Sequence, residues 1–383
     1  MYTIYAYMDD INTYIYVPSS DTLQLYDITI DYGVNQISQL KFTMPPTNPF
    51  YENIKIGQQQ KVIVYEDGNI FWEGFIHRID TNFKKEKTVI CDDLLYLLTT
   101  TIQQPHHYSN VTYNDMLDSI LETHNNQRRD FATGYDAVEI IRGGIYDGDD
   151  IVPSRYTNYE NTWQVLNDDL INSRNQIMYL TWNGESYSLN TDTLDKEAGS
   201  QYIEFGYNLL NFSTGLDMSE LYTQICPIGA RLETQTIVGL DDYVTIKSVN
   251  NNNPVLTSAN EQLIEQYGAR CLTVQWEDVT TPSVLKTRAR DWLNGKQFTN
   301  LTINLNALDM SILNPHITAF NVGATVRVIA PPFGIDVNLP VQKITKNISD
   351  PTKSTITLSF IKQLSYTQMQ TRQNNQFRKE LLR

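Results

Sequence analysis

Over the first hundred residues apolar and polar positions alternate with period two. The runs 22–30, 36–44, 61–65, 69–79 and 88–98 read as strands, with Pro45-Pro46 ending the second. Glu66-Asp67-Gly68 separates two of them, and Asp-Gly accepts the positive φ of a tight hairpin. Five or more short strands in this space predict a small barrel or sandwich. From about 100 the period changes to that of a helix. Thr112-Tyr113-Asn114-Asp115 resembles a capping box, and Tyr113, Met116, Leu117, Ile120 and Leu121 follow on one face. A second helix is expected from about 157–160, burying Trp163, Leu166, Leu170 and Ile171. A hairpin is expected across Asn183-Gly184.

Strand patterning resumes at about 206. Leu209-Leu210-Asn211-Phe212-Ser213, then 221–227, weakly echo Leu25-Tyr26-Asp27-Ile28-Thr29, then 40–45. Between that echo and about 298 lie a polar loop, Asn250 to Asn253, and a helix. Thr281 caps that helix, Pro282 opens it, Leu285, Ala289, Trp292 and Leu293 face inward, and Gly295 ends it. The final stretch from Tyr366 to Arg383 is polar and permits either a coiled coil or a frayed tail.

A long repeat organises these segments. Asn48-Pro49, Ile54-Lys55-Ile56-Gly57 and Lys61-Val62-Ile63-Val64 return as Asn314-Pro315, Phe320-Asn321-Val322-Gly323 and Arg327-Val328-Ile329-Ala330, always 266 residues later. Thr88-Val89-Ile90-Cys91 and Ser354-Thr355-Ile356-Thr357 keep the same offset. The expected fold is therefore α+β and β-dominated: two related small β-barrel domains, with α+β domains inserted between and within them. The expected boundaries are 1–99 for the first barrel and 100–205 for an α+β domain. The second, split barrel takes 206–230 plus 298–365, with an inserted α/β domain at 231–297 and a C-terminal tail at 366–383.

Composition adds a constraint. The net charge is −15, with 44 acidic against 29 basic residues, which disfavours a grip on nucleic acid. It leaves room for DNA to pass a like-charged wall without binding. Charged residues make up 19% of the chain, and 24 tyrosines suit half-buried sheet faces. The N-terminus lacks the basic and apolar regions of a signal peptide, and no apolar run is long enough for a membrane helix. Cys91, Cys226 and Cys271 show no CxxC spacing and read as reduced thiols.

The search for chemistry points away from catalysis. Adjacent His106 and His107 project different ways, and Asp147-Gly148-Asp149-Asp150 lacks the pattern of a calcium loop. No HExxH or GxSxG occurs, and Gly143-Gly144 lacks the residues of a phosphate loop. Cys91 and Cys226 fall in expected strands, and the pairs Asp92-Asp93, Asp168-Asp169 and Asp241-Asp242 read as solvated edges. No catalytic, metal or cofactor residue is assigned. Trp72 and Trp182 keep open a receptor- or carbohydrate-binding module, and an unrecognised carboxylate or thiol keeps open a cell-wall hydrolase.

The duplicated segments at 48–57 and 314–323, the matching terminal strands, and the run from Lys343-Ile344-Thr345-Lys346 through Asp350-Pro351 resemble the phage tail-hub proteins. These include the tail-associated lysin, or prophage endopeptidase tail, family and the baseplate hubs of contractile tails. The resemblance implies a homotrimer at the virion tail tip, in which two barrels per subunit build a pseudo-sixfold ring. That ring would cap the tail tube, match a six-fold tube to a three-fold tip, and take part in host attachment and DNA ejection. Implied partners are the distal tail ring protein and a fibre, tape-measure or lytic protein. DNA would cross the lumen without specific binding, no membrane insertion is implied, and synthesis would be in the host cytoplasm. Many members continue into a peptidoglycan-cleaving or fibre domain; this chain stops at Arg383, so no lytic activity is expected.

Overall fold

The computed structural model describes residues 1–8, 11–57, 60–129, 138–171, 174, 176–183, 185–193, 201–217, 221–232, 243–276, 279–294, 300–314 and 316–359. Gly184, Gly295, Asp241-Asp242 and the tail from 366 lie outside them. The chain divides into two units, Met1–Ser213 with Ile303–Arg383, and Thr214–Thr302.

In the first unit, β1 (Tyr2–Met8) and β2 (Ile11–Tyr16) pair antiparallel. They are followed by β3 (Tyr26–Gly33), β4 (Gln39–Met44), β5 (Lys61–Glu66), β6 (Asn69–Thr81) and β7 (Lys87–Asp93). The period-two pattern puts Ile28 and Ile30, then Leu40, Phe42 and Met44, into one core with Ile4, Val62, Val64, Val89 and Cys91. Asp67 and Gly68, with φ of 49° and 84°, close the β5–β6 hairpin. The strand expected over 88–98 stops at Asp93. There the Asp93 side chain accepts from the Leu95 amide at 3.0 Å, starting a 3₁₀ turn, Leu94–Thr99. Four leucines within five residues cannot share one strand face, and the turn buries Leu94, Leu95, Leu97 and Leu98 together.

Those leucines open the α+β segment, made of β8 (His106–Thr112), α1 (Tyr113–Arg129), β9 (Ile140–Arg142), β10 (Ile151–Thr157), α2 (Thr162–Gln164, continuing as π-helix over Val165–Ile171), β11 (Gln176–Trp182) and β12 (Tyr187–Thr193). Thr112 caps α1 through the Asp115 amide at 3.0 Å, and the expected apolar face is buried. The second helix starts later than expected, because residue 157 still belongs to β10 and Asn161 forms the capping box with Gln164. Asn183 steadies the β11–β12 hairpin, accepting from the Ser186 amide at 2.8 Å.

The second repeat begins with β13 (Ile203–Glu204) and β14 (Leu209–Asp217). It is interrupted by the second unit: β15 (Gln224–Arg231), β16 (Tyr243–Thr245), β17 (Leu256–Thr257), α3 (Glu261–Tyr267), β18 (Cys271–Gln275) and α4 (Pro282–Asn294). Here β15 is the central strand of a four-stranded sheet, and α4 buries Leu285, Ala289 and Leu293 with Ile225 and Ile246. The expectation had placed residues up to 230 in the second barrel. Instead, residues 224–230 pair within this unit, and β19 (Asn300–Ala307) is the strand that follows β14 in the large sheet. The repeat then continues with β20 (Thr325–Ala330), β21 (Ile335–Asn347) and β22 (Thr355–Ser359).

The two repeats have the same strand order. The first runs β3-β4-β7-β6-β5, the second β14-β19-β22-β21-β20. Pairings Ile79↔Val89 and Arg78↔Ile90 recur as Thr345↔Thr355 and Ile344↔Ile356, each moved by 266. Both hairpins also carry a register shift next to these pairs. Among the described residues, the strand pairings close neither repeat into a separate ring. They join edge to edge through β21 and β3 into one 13-stranded sheet.

Candidate functional site

The polar groups singled out by the sequence are engaged in holding the fold. His107 stacks on Tyr156 with ring centroids 4.1 Å apart, while His106 packs against Tyr108 at 4.4 Å, so the two imidazoles diverge. The loop from Asp147 to Asp150 is tied down by Arg174, which donates to the Asp147 carbonyl at 2.9 Å and the Asp150 carboxylate at 2.7 Å. Gly143 and Gly144 fit β9 against β12: Gly144 donates its amide to Asn190 Oδ1, and a Cβ on Gly143 would lie 2.4 Å from the same oxygen. Asp92 accepts from Gln39 at 2.8 Å and lies 3.3 Å from His77. The side chains of Asp168 and Asp169 are outside the described residues.

Burial moves several groups away from their ordinary range, Asp93 and His124 among them. Burial pushes the Asp93 carboxyl up to about 6, against the pull of hydrogen bonds from Ser38 and the Leu95 amide, with Asp92 adding to the rise. Burial, helped by Arg128, pushes His124 down to about 3. Its Nδ1 lies 2.6 Å from Thr101 Oγ1, inside a buried cluster with Thr162 and Gln103, so it joins α1 to α2. Burial also raises the Cys91 thiol well above its ordinary value. Cys226 is half-buried and Cys271 exposed, both unpaired with any disulfide partner. Trp72 is buried and donates to Ser38 Oγ at 2.8 Å, whereas Trp182 is exposed against Tyr187. Among the described residues no group of three His, Cys, Asp or Glu is placed to hold a metal. Nor is any helix there long and apolar enough to cross a membrane.

The geometry singles out the seam between the repeats. The first half of β21 pairs with β20, and its second half, Lys343 to Asn347, pairs with Gly33 to Thr29 of β3. Val34 donates to the Gln342 carbonyl at 2.8 Å and Ile348 to the Ile28 carbonyl at 2.9 Å, extending the ladder past both strand ends. Side chains lock it further. Lys343 lies 3.4 Å from Asp31, and Lys346 lies 3.6 Å from Glu66, with its ammonium 4.5 Å from the Phe71 ring centre. Tyr2 donates to Glu66 beside it. A cavity at this seam, lined by Tyr2, Tyr32, Phe320, Ile344 and Lys346 among others, has room for ordered water. The sequence shows the duplication through its repeat, but not this joint. Strand partners across more than 300 residues have no local pattern, so the pairing could not be read there.

Residues 196–368 match the profile of the prophage endopeptidase tail family, which covers the second repeat and its insert. No curated protein sequence matches the chain. The fold is that of several prophage tail proteins of known structure. A prophage tail protein from Listeria monocytogenes is 14% identical with a TM-score of 0.58, covering 96% of this chain and 97% of its own. A 43 kDa tail protein of prophage MuSo2 from Shewanella oneidensis is 13% identical with a TM-score of 0.61, covering 94% and 98%. A tail protein from Neisseria meningitidis is 14% identical with a TM-score of 0.60, covering 94% and 96%. The resemblance drawn from the repeated segments is thus found again in the family profile and in the fold.

Proposed function

We propose that this chain is a structural hub at the tip of a phage or prophage tail. Three copies would form a ring that caps the tail tube and matches six-fold to three-fold symmetry. The observation that carries the reading is the doubled strand order, joined edge to edge through β21 and β3. Two equivalent walls per subunit give six per trimer, which is what a six-fold partner requires. A net charge of −15 suits a channel that DNA crosses without sticking. The role is non-enzymatic, with the distal tail ring as the neighbour above and a fibre or tape-measure protein below. Native mass measurement with negative-stain imaging tests this: a trimer with six similar lobes is expected, and a strict monomer at high concentration overturns it.

The family description names an endopeptidase, which gives a second reading one specific support. A zymogram on bacterial cell walls separates the two. The hub reading expects no clearing, and clearing abolished by one point substitution would establish the hydrolase.

A further inference from the structure

The chain leaves the core of the first repeat at two adjacent carboxylates. Cys91 belongs to that core, whereas Leu94, Leu95, Leu97 and Leu98 belong to the core of the α+β segment, with Tyr113, Leu166 and Met178. Asp92 and Asp93 span the step between them. The loop 34–38, between β3 and β4, makes a second crossing, and Ile37 packs on the α+β core. Asn35, at a φ of 49°, reaches β11, donating from Nδ2 to the Gln176 carbonyl at 2.7 Å and accepting the Met178 amide at 3.0 Å. At the other end of the loop, Ser38 is fixed by Asp93. The Asp93 carboxylate accepts from the Ser38 amide at 2.8 Å and from its hydroxyl at 2.5 Å. One side chain therefore holds both crossings, since it also starts the 3₁₀ turn through the Leu95 amide.

Among the described residues the donors to Asp93 are neutral and no cation pairs with it. The other titratable groups at the crossing give no relief. Asp92, on the same strand, adds repulsion. His77, on β6, lies 3.3 Å from Asp92, and its ring packs on Tyr96 of the turn with centres 5.4 Å apart. The remaining neighbours are uncharged: Ser38 and Gln39 from β4 and the loop before it, and Trp72 from β6. A carboxylic acid suits this place better than a carboxylate, which is why Asp93 rises to about 6. Once protonated, Asp93 can reverse its contact with Ser38, donating from Oδ2 to Oγ. That oxygen accepts from Trp72 Nε1 at 2.8 Å and has a second lone pair for the new donor.

We propose that this crossing is an acid-tightened clasp between the first repeat and the α+β segment. Proton uptake at Asp93 strengthens the hold of the 34–38 loop and the 94–99 turn on that segment, and proton release at neutral pH loosens it. The sign follows from the two states. Opening the clasp returns Asp93 to water and to its ordinary value of 3.8, so between 3.8 and about 6 the closed form binds more protons. The closed form is therefore favoured at low pH, and the advantage is lost as pH rises through about 6. Local opening should be about tenfold more frequent at pH 7 than at pH 5.

The test is amide hydrogen exchange on the full chain at pH 5 and pH 7, corrected for the intrinsic rate at each pH. Peptides covering 94–99 and 176–180 should lose about tenfold protection at pH 7, while those covering α4 should not change. Asp93→Asn should remove the pH dependence, and His77→Gln should keep it. Should Asp93→Asn fail to fold, Ser38→Ala carries the test. It removes a hydrogen bond that favours the ionised form, so the midpoint of the change must move to higher pH. Equal protection at both pH values in the wild type overturns the clasp. So does a pH dependence that survives Asp93→Asn, one that vanishes in His77→Gln, or a midpoint that Ser38→Ala leaves in place.

Discussion

Asn48 and Asn314 make the same turn 266 residues apart. Each accepts, through Oδ1, the amide two residues on (Phe50 at 3.1 Å, His316 at 3.0 Å), while its carbonyl accepts the next amide at 3.0 Å. Their environments differ. Asn48 is buried and also donates from Nδ2 to the carbonyls of Ile15 at 3.0 Å and Gln24 at 3.2 Å, whereas Asn314 is exposed. Asn48→Ala should therefore lower the free energy of unfolding by about 2–3 kcal/mol and Asn314→Ala by about 1 kcal/mol or less, read from urea midpoints. Asp93 gives a prediction in pH. Its ordinary value is 3.8 and its folded value about 6, so between these the folded state binds more protons. Stability conferred at this site falls as pH rises through that window, and the cost is complete above about pH 6. Wild type should gain on Asp93→Asn by on the order of 1–3 kcal/mol as pH is lowered from 7 to 4, measured by chemical denaturation at each pH.

At the level of elements, the sequence was most informative where the pattern is local. The alternation at Leu40, Phe42 and Met44, the Asp67-Gly68 turn, and the apolar face of α1 all appear in the structure as read. It misled where two segments share a pattern and only tertiary partners distinguish them. Ile225-Cys226-Pro227 looks like the end of β4, yet its partners are β17 and β18. The seam was illegible for the same reason, since Lys346 opposes Ile30 and nothing near either residue announces it. Ile348 makes the coupling measurable: it belongs by sequence to the second repeat but is buried in the core of the first. Ile348→Ala should cost about 2–4 kcal/mol and should lower amide-exchange protection at Ile28 and Ile30. Unchanged protection there would mean the repeats do not share their stability.

At the scale of the whole molecule, several polar side chains of types that serve chemistry elsewhere take part in structural contacts. His124 links two helices, Asp93 caps a turn, and Arg174 ties a loop. The insertion of the second unit is also open to test. The first repeat passes from β3 to β4 through residues 34–38, whereas the second passes from β14 to β19 through the whole insert. Replacing residues 218–299 with a five-residue link copied from Val34-Asn35-Gln36-Ile37-Ser38 should leave a folded protein with one cooperative thermal transition. Loss of that transition, seen by calorimetry, would show that the insert is needed to build the sheet.

The division of β21 between two partners has a mechanical meaning. Its 13 residues overlap β20 along one half and β3 along the other, in the manner of a lap joint, with β22 fastened along the opposite edge. A joint of that kind has no pivot. To change the angle between the repeats, β21 itself must bend, or the paired residues from 343 to 347 must part together. The two walls of the chain therefore move as a single rigid stave, and any motion the protein undergoes has to be sought outside their junction.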